Sequence, residues 1–111
     1  MLLTPILFWM YKLFIKDLAN GAILAARNKN GKNQIFNITC GKGQSLYKFV
    51  LLLKKKFSNL KYKIVKKDIS KPSRGTLSIK KAQKLLGYKP KFDLKIGITE
   101  YVNFLKKNKV F

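Results

Sequence analysis

The spacing of apolar residues predicts three or four helices along the chain. The predicted helices cover residues 17–26, 46–57, 79–86 and 94–105. Each starts beside a residue whose side-chain oxygen can cap a helix N-terminus, namely Asp17, Ser45, Ser78 and Asp93. On the first helix, Leu18, Ala22 and Ala25 form the predicted apolar face. Gly87, directly after the third helix, is a typical C-terminal stop.

Two short segments between the helices alternate apolar and polar residues as β-strands do. They cover residues 34–39 and 61–66. The order of elements therefore predicts an α/β fold with two short strands. Two strands alone make a marginal sheet, because stable sheets usually contain more. We therefore expect the architecture to be incomplete as a domain.

Residues 1–12 form an apolar N-terminal segment of uncertain origin. No charged residue precedes Lys12, and Pro5 interrupts the run. Such a run is shorter than the roughly 20 residues that span a bilayer. It also lacks the leading positive charge and the small-residue cleavage site of a secretory signal. We predict a cytoplasmic chain in which this segment packs against protein, with anchoring to a membrane surface as the alternative.

The chain is strongly basic. Its 111 residues include 25 Lys plus Arg, four Asp plus Glu and no His, so the formal net charge is +21. All but two of the basic residues are lysine, whose compact, solvated charge lacks the bidentate geometry of arginine. A coding bias toward A and T would explain the abundance of Lys, Asn, Ile and Phe. The charge attracts polyanions in either case, so the alternative function is that of a small Lys-rich protein that binds nucleic acid or an anionic membrane surface.

Residue types that perform most enzyme chemistry are scarce. Cys40 is the single cysteine, which excludes an internal disulfide, and the absence of His excludes the usual zinc ligand sets. No two carboxylates are placed together for acid–base work. Gly41-x-Gly43 begins like a dinucleotide-binding turn, but Leu46 occupies the third glycine position, so a tight connection is the better interpretation. The residues therefore predict no catalytic, cofactor-binding or metal site in this chain.

Several motifs occur in a specific order between residues 13 and 107. They are Ile15-Lys-Asp-Leu-Ala19, Ile35-Phe-Asn-Ile38, Gly41-x-Gly43-x-Ser45, Arg74-Gly-Thr-Leu77, Lys80-Lys-Ala-x-x-Leu-Leu-Gly-Tyr-x-Pro90 and Asp93-Leu-x-x-Gly97. Together they resemble the C-terminal part of the NAD-dependent epimerase/dehydratases. These are extended short-chain dehydrogenases that act on nucleotide sugars.

The resemblance implies a Rossmann domain that binds NAD, followed by a smaller substrate-binding domain. Residues 13–111 would be mainly the second, as the C-terminal substrate-binding portion of an extended Rossmann-type epimerase. The family's Gly-rich NAD loop and catalytic Tyr-x-x-x-Lys have no counterpart here. Tyr62 and Lys66 have the Tyr-x-x-x-Lys spacing, but they fall in a predicted strand. One match to this spacing is expected by chance in a chain with this many tyrosines and lysines.

The chain would be a truncated one that binds no NAD alone and has no catalytic activity of its own. It would bind a nucleotide sugar weakly or not at all by itself, and its partner would be a separately encoded Rossmann half. Nucleic acid and membranes are not the expected partners.

The resemblance also implies one substrate-binding residue. In the family, an arginine ahead of the Lys-Ala segment reaches the diphosphate of the nucleotide sugar, and Arg74 is the matching position. A solvated loop arginine is the alternative. The family's Arg-Asp-Tyr-type stretch would fall on Met10-Tyr11-Lys12, where the resemblance fades. Our hypothesis is that the residues up to Tyr11 result from a truncation, an alternative start or a frameshift.

Overall fold

Four α-helices form the framework of the structure. The computed structural model describes residues 14–66, 69–70 and 75–109. The helices are α1 (Ile15–Arg27), α2 (Leu46–Lys56), α3 (Lys80–Leu86) and α4 (Leu94–Lys107), and a one-turn 3-10 helix (Lys29–Gly31) follows α1. They lie where the apolar spacing predicts them. No helix within the described ranges is long and apolar enough to cross a membrane. The predicted segment 1–12 lies outside those ranges.

The predicted α/β fold is wrong, because the described part of the chain contains no β-strand. Residues 34–39 and 61–66 lack the pairing that defines a strand, and every residue from 61 to 66 is exposed. A strand exists only when its backbone pairs with a neighbour, and alternation of side chains does not supply that neighbour. In the first segment, the carbonyl oxygen of Ile35 accepts a hydrogen bond from Lys81 Nζ at 3.0 Å. The regular structure of the described residues is helical, which contradicts the predicted α/β portion of a Rossmann-type epimerase with two short strands.

Two of the predicted helix caps are confirmed. Ser45 Oγ accepts a hydrogen bond from the backbone N–H of Lys48 at 3.2 Å, and Asp93 Oδ1 accepts one from that of Ile96 at 2.8 Å. These bonds satisfy N–H groups that have no partner inside their helices. Gly87 ends α3 in the left-handed conformation with φ of 67°. Local sequence therefore sets the starts of α2 and α4 and the end of α3.

The other two predicted caps do not occupy the cap position. Ile79 stands at the cap of α3, although Ser78 Oγ accepts a hydrogen bond from the N–H of Lys80 at 3.4 Å. Phe14 stands at the cap of α1, and Asp17 lies within the first helical turn. Asp17 is only 2% exposed, so its side chain has a role outside its own helix.

The Asp17 carboxylate connects α1 to the segment that precedes α4. The N–H of Lys91 donates to its two oxygens at 2.9 and 3.1 Å, and the N–H of Phe92 donates to Oδ2 at 2.9 Å. The ring of Phe14 packs on the ring of Phe92 with centroids 4.5 Å apart. A Cβ added to Gly97 of α4 would lie 3.2 Å from the Phe14 ring, so glycine there leaves room for this contact.

The buried side of α1 differs from the predicted one. Of the three predicted positions, Leu18 and Ala22 are exposed and Ala25 is partly buried, whereas Asp17 and Gly21 are buried. A Cβ on Gly21 would lie 2.5 Å from Ile38 Cγ2, which shows how closely the 34–39 segment approaches the helix. The packing of α1 therefore depends on a small residue and a carboxylate, which a count of apolar positions does not detect.

The buried side chains form two separate clusters. One lies between α2 and α4 and contains Phe49, Leu94, Ile98 and Val102. The other centres on α3 and contains Ile79, Ala82, Leu86 and Tyr88, packed against Leu24, Ala25, Phe36 and Ile38. The Asp17 hydrogen bonds lie in the chain between these clusters, just after Tyr88 and just before Leu94. They therefore couple the two small cores.

Asp17→Ala is expected to lower the free energy of unfolding by about 2–4 kcal/mol, because it leaves two backbone N–H groups without their charged acceptor. Asp93→Ala is the matched control; it removes a carboxylate that only caps a helix and is expected to cost about 1 kcal/mol. Urea unfolding followed by far-ultraviolet circular dichroism measures both. Equal losses for the two variants would contradict the coupling role of Asp17.

Candidate functional site

Arg74, the predicted substrate-binding residue, lies outside the described residues. The chain directly after it, residues 75–79, is described and leads into α3. This segment runs beside residues 37–43, where Asn37 Nδ2 donates a hydrogen bond to the carbonyl oxygen of Ser78 at 3.1 Å. Residues 75–79 are therefore held beside the 37–43 loop by direct contacts.

Two glycines allow the loops to approach each other. Gly41 has φ of 71°, a left-handed conformation that glycine adopts without strain, and an added Cβ would lie 2.8 Å from Ile79 Cδ1. A Cβ on Gly43 would overlap Thr76 Oγ1. The structure thus gives both glycines a packing role, in agreement with their interpretation as a tight connection.

A buried tyrosine supports the loop that contains these glycines. Tyr88 is fully buried, and its hydroxyl donates to the carbonyl oxygen of Thr39 at 2.9 Å. Thr39 Oγ1 in turn accepts a hydrogen bond from the N–H of Gly41 at 3.0 Å. Burial raises the pKa of Tyr88 to about 12, and the nearby Asp17 and Cys40 add to this rise. Tyr88 is therefore neutral at physiological pH and holds the loop through a hydrogen bond.

The polar side chains around the loop serve local structure. Cys40 is half-buried, and its Sγ donates to the carbonyl oxygen of Lys42 at 3.2 Å. Within the described ranges, no group of three or more His, Cys, Asp or Glu side chains could hold a metal ion. Tyr62 and Lys66 lie on non-helical, exposed chain and so lack the shared helical face on which their spacing would pair them.

Sequence reasoning missed Asn37, Thr76 and Lys81 as parts of this region. Asn37 and Lys81 bind backbone oxygens 41 and 46 residues away, so no local pattern marks them. Lys81 Nζ also lies 5.2 Å from the centre of the Phe36 ring, a cation–π contact that helps to hold the 34–39 segment against α3. All three belong to the family-like motifs, and that membership was the only available signal.

Comparison with known proteins gives one informative similarity. The chain is 35% identical, over 109 aligned positions, to a protein of Methanocaldococcus jannaschii named "Putative UDP-glucose 4-epimerase". The chain is epimerase-like in sequence. It is also 32% identical over 97 residues to an uncharacterized protein of the same organism. Each similarity covers 86% of this chain, which spans only 29–30% of the length of these relatives. No family model and no solved structure matches the chain.

Tyr88→Phe is expected to lower the free energy of unfolding by about 1 kcal/mol at neutral pH, because it removes the bond to Thr39. The native pKa of Tyr88 is about 12, above the value of about 10 in the unfolded chain. Its contribution is therefore complete below about pH 10 and is lost between about pH 10 and 12.

The difference in unfolding free energy between the wild type and Tyr88→Phe should consequently shrink across this alkaline range. Urea unfolding at several pH values measures it. Tyr101→Phe, at an exposed position of α4, controls for the loss of a tyrosine hydroxyl. A constant difference up to pH 12 would refute the role given to burial.

Gly41→Ala is expected to destabilise the fold by about 1–2 kcal/mol, because alanine is strained at a positive φ and its methyl group would press on Ile79. Gly75→Ala is the matched control, since nothing lies within 4 Å of a Cβ added there. Its effect should stay within about 0.5 kcal/mol. Thermal unfolding of the two variants measures the contrast, and similar losses would count against the loop packing described above.

Proposed function

We propose that this chain provides the nucleotide-sugar-binding part of an NAD-dependent epimerase or dehydratase. The observation that carries the proposal is the 35% identity, across 86% of this chain, to the M. jannaschii protein named "Putative UDP-glucose 4-epimerase". The ordered motifs between residues 13 and 107 support the same assignment. UDP-glucose is accordingly the first nucleotide sugar to test.

The family-like motifs, although distant in sequence, contact one another in the structure. The first motif supplies Asp17, whose carboxylate binds the chain just after the Lys80–Pro90 motif. The glycine motif packs against residues 75–79, and Tyr88 supports the same loop. The glycine motif therefore contacts the chain that follows Arg74, whereas Asp17 holds residues 91–92.

Arg74 is the proposed contact to the diphosphate. A guanidinium group presents paired N–H donors that match two phosphate oxygens, and it keeps its charge at all relevant pH values. Arg27, the other arginine, ends α1 and is exposed. The proposal therefore assigns the bidentate contact to Arg74 and leaves Arg27 outside the site.

The proposal includes no NAD site in this chain. Ile79 and Thr76 lie where a Cβ on Gly41 and Gly43 would be, so close packing accounts for both glycines. Ser45 Oγ already occupies the first turn of α2 by accepting the N–H of Lys48. We therefore assign no step of NAD chemistry to this chain. A complete enzyme would need a Rossmann half for that chemistry, and a cytoplasmic location stays a prediction.

Arg74→Ala is expected to weaken the binding of UDP-glucose roughly 10- to 100-fold, the usual effect of losing a charged hydrogen-bonding partner. Isothermal titration calorimetry, or chemical-shift titration where affinity is low, measures the change on the 111-residue chain. Arg27→Ala removes the same charge elsewhere and should bind like the wild type. Equal affinities of the Arg74→Ala and wild-type chains would remove Arg74 from the site.

A further inference from the structure

Two exposed tyrosines and a lysine form a patch on the surface. Tyr47 and Lys54 belong to α2, and Tyr62 lies beside this helix. The rings of Tyr47 and Tyr62 meet at an interplanar angle of 69° with centroids 6.4 Å apart. Lys54 Nζ lies 5.4 Å from the centre of the Tyr62 ring. Tyr47 is 51% exposed and Tyr62 is 41% exposed, so both rings keep accessible surface. We refer to these three residues as the aromatic–lysine patch.

The charge around this patch is entirely positive in the sequence. No Asp or Glu occurs between Asp17 and Asp68. Residues 46–66 contain seven lysines, all exposed, at positions 48, 54, 55, 56, 61, 63 and 66. In the described part of the chain, the salt bridge present joins Lys16 to Glu100, so it involves none of these seven. Lys54 and the six neighbouring lysines therefore have no salt-bridge partner among the described residues.

Exposed aromatic rings beside lysines that form no salt bridge within the described residues favour one class of polyanion in particular. Single-stranded nucleic acids offer unpaired bases that stack on aromatic rings and phosphates that attract lysines. Polyphosphates and anionic lipids offer the charge without the base. Tyr62 lies between Lys61 and Lys63, and two flanking charges oppose insertion of its ring into hydrocarbon.

We propose that the aromatic–lysine patch binds single-stranded nucleic acid, with bases stacked on Tyr47 and Tyr62 and phosphates contacted by Lys54 and the neighbouring lysines. Stacking of this kind is tolerant of sequence, because every base has a flat face. The site depends on neither Arg74 nor the proposed nucleotide-sugar function. The two proposals therefore succeed or fail separately.

The first test measures the tyrosines. The double variant Tyr47→Leu/Tyr62→Leu should bind a fluorescent oligo-dT of about 16 nucleotides at least about 5-fold, and up to about 100-fold, more weakly than the wild type. Fluorescence anisotropy at fixed salt gives the affinities. The salt dependence should stay unchanged, because no charge is removed. Tyr101→Leu, which alters a tyrosine that is 57% exposed on α4, should bind like the wild type.

The second test measures the charges, and it remains informative if the tyrosine variant folds poorly. Replacement of Lys54, Lys61 and Lys63 by glutamine should reduce the slope of log affinity against log salt by up to about 2, since each single-strand phosphate contact contributes about 0.7. The control replaces Lys29, Lys32 and Lys95, which are exposed elsewhere, and lowers the net charge equally. That control should keep the wild-type slope.

Several outcomes would overturn the proposal. Wild-type affinity of the double tyrosine variant for oligo-dT would show attraction by charge alone. If the double tyrosine variant lost as much affinity for inorganic polyphosphate, which has no bases, as for oligo-dT, base stacking would be excluded as the cause. Binding to phosphatidylserine vesicles without binding to oligo-dT would assign the patch to a membrane surface. Arg74→Ala should bind oligo-dT like the wild type, which separates this site from that of the nucleotide sugar.

Discussion

The structure depends first on the carboxylate of Asp17. A buried carboxylate is stable only when hydrogen bonds replace its lost hydration, and the N–H groups of Lys91 and Phe92 supply them. Those N–H groups belong to the short segment between Tyr88 and Leu94, which are members of different apolar clusters. One side chain on α1 therefore sets the relation between α1, α3 and α4.

The same arrangement connects the fold to the proposed nucleotide-sugar site. Tyr88, whose position follows from the packing of α3, holds the loop of Thr39 and Gly41. Residues 75–79, which directly follow Arg74, pack against that loop. An arginine contacts a diphosphate well only when its backbone is placed in advance, because each hydrogen bond of the fork needs the correct geometry. Buried polar contacts and close glycine packing hold residues 75–79, the described chain that directly follows Arg74.

The aromatic–lysine patch arises from a different part of the chain and from a different physical cause. Its positive charge is uncompensated in the sequence, because no carboxylate occurs between Asp17 and Asp68. Its rings meet because Tyr62 lies beside α2. The segment around Tyr62 has the alternation of a strand yet has no pairing partner in the described ranges. Its side chains, including Ile64 at 73% and Val65 at 72% exposure, therefore remain on the surface.

The sequence by itself determined the helices, because capping and the i, i+4 apolar spacing act within a few residues. Ser45, Asp93 and Gly87 mark helix ends correctly for that reason. Only the tertiary structure decided the rest: the burial of Asp17 and Gly21 in place of Leu18 and Ala22, the unpaired state of the two predicted strands, and the meeting of Tyr47 with Tyr62. Each of these depends on partners that are distant in sequence, and a strand or a buried carboxylate has no defined state until that partner is in place.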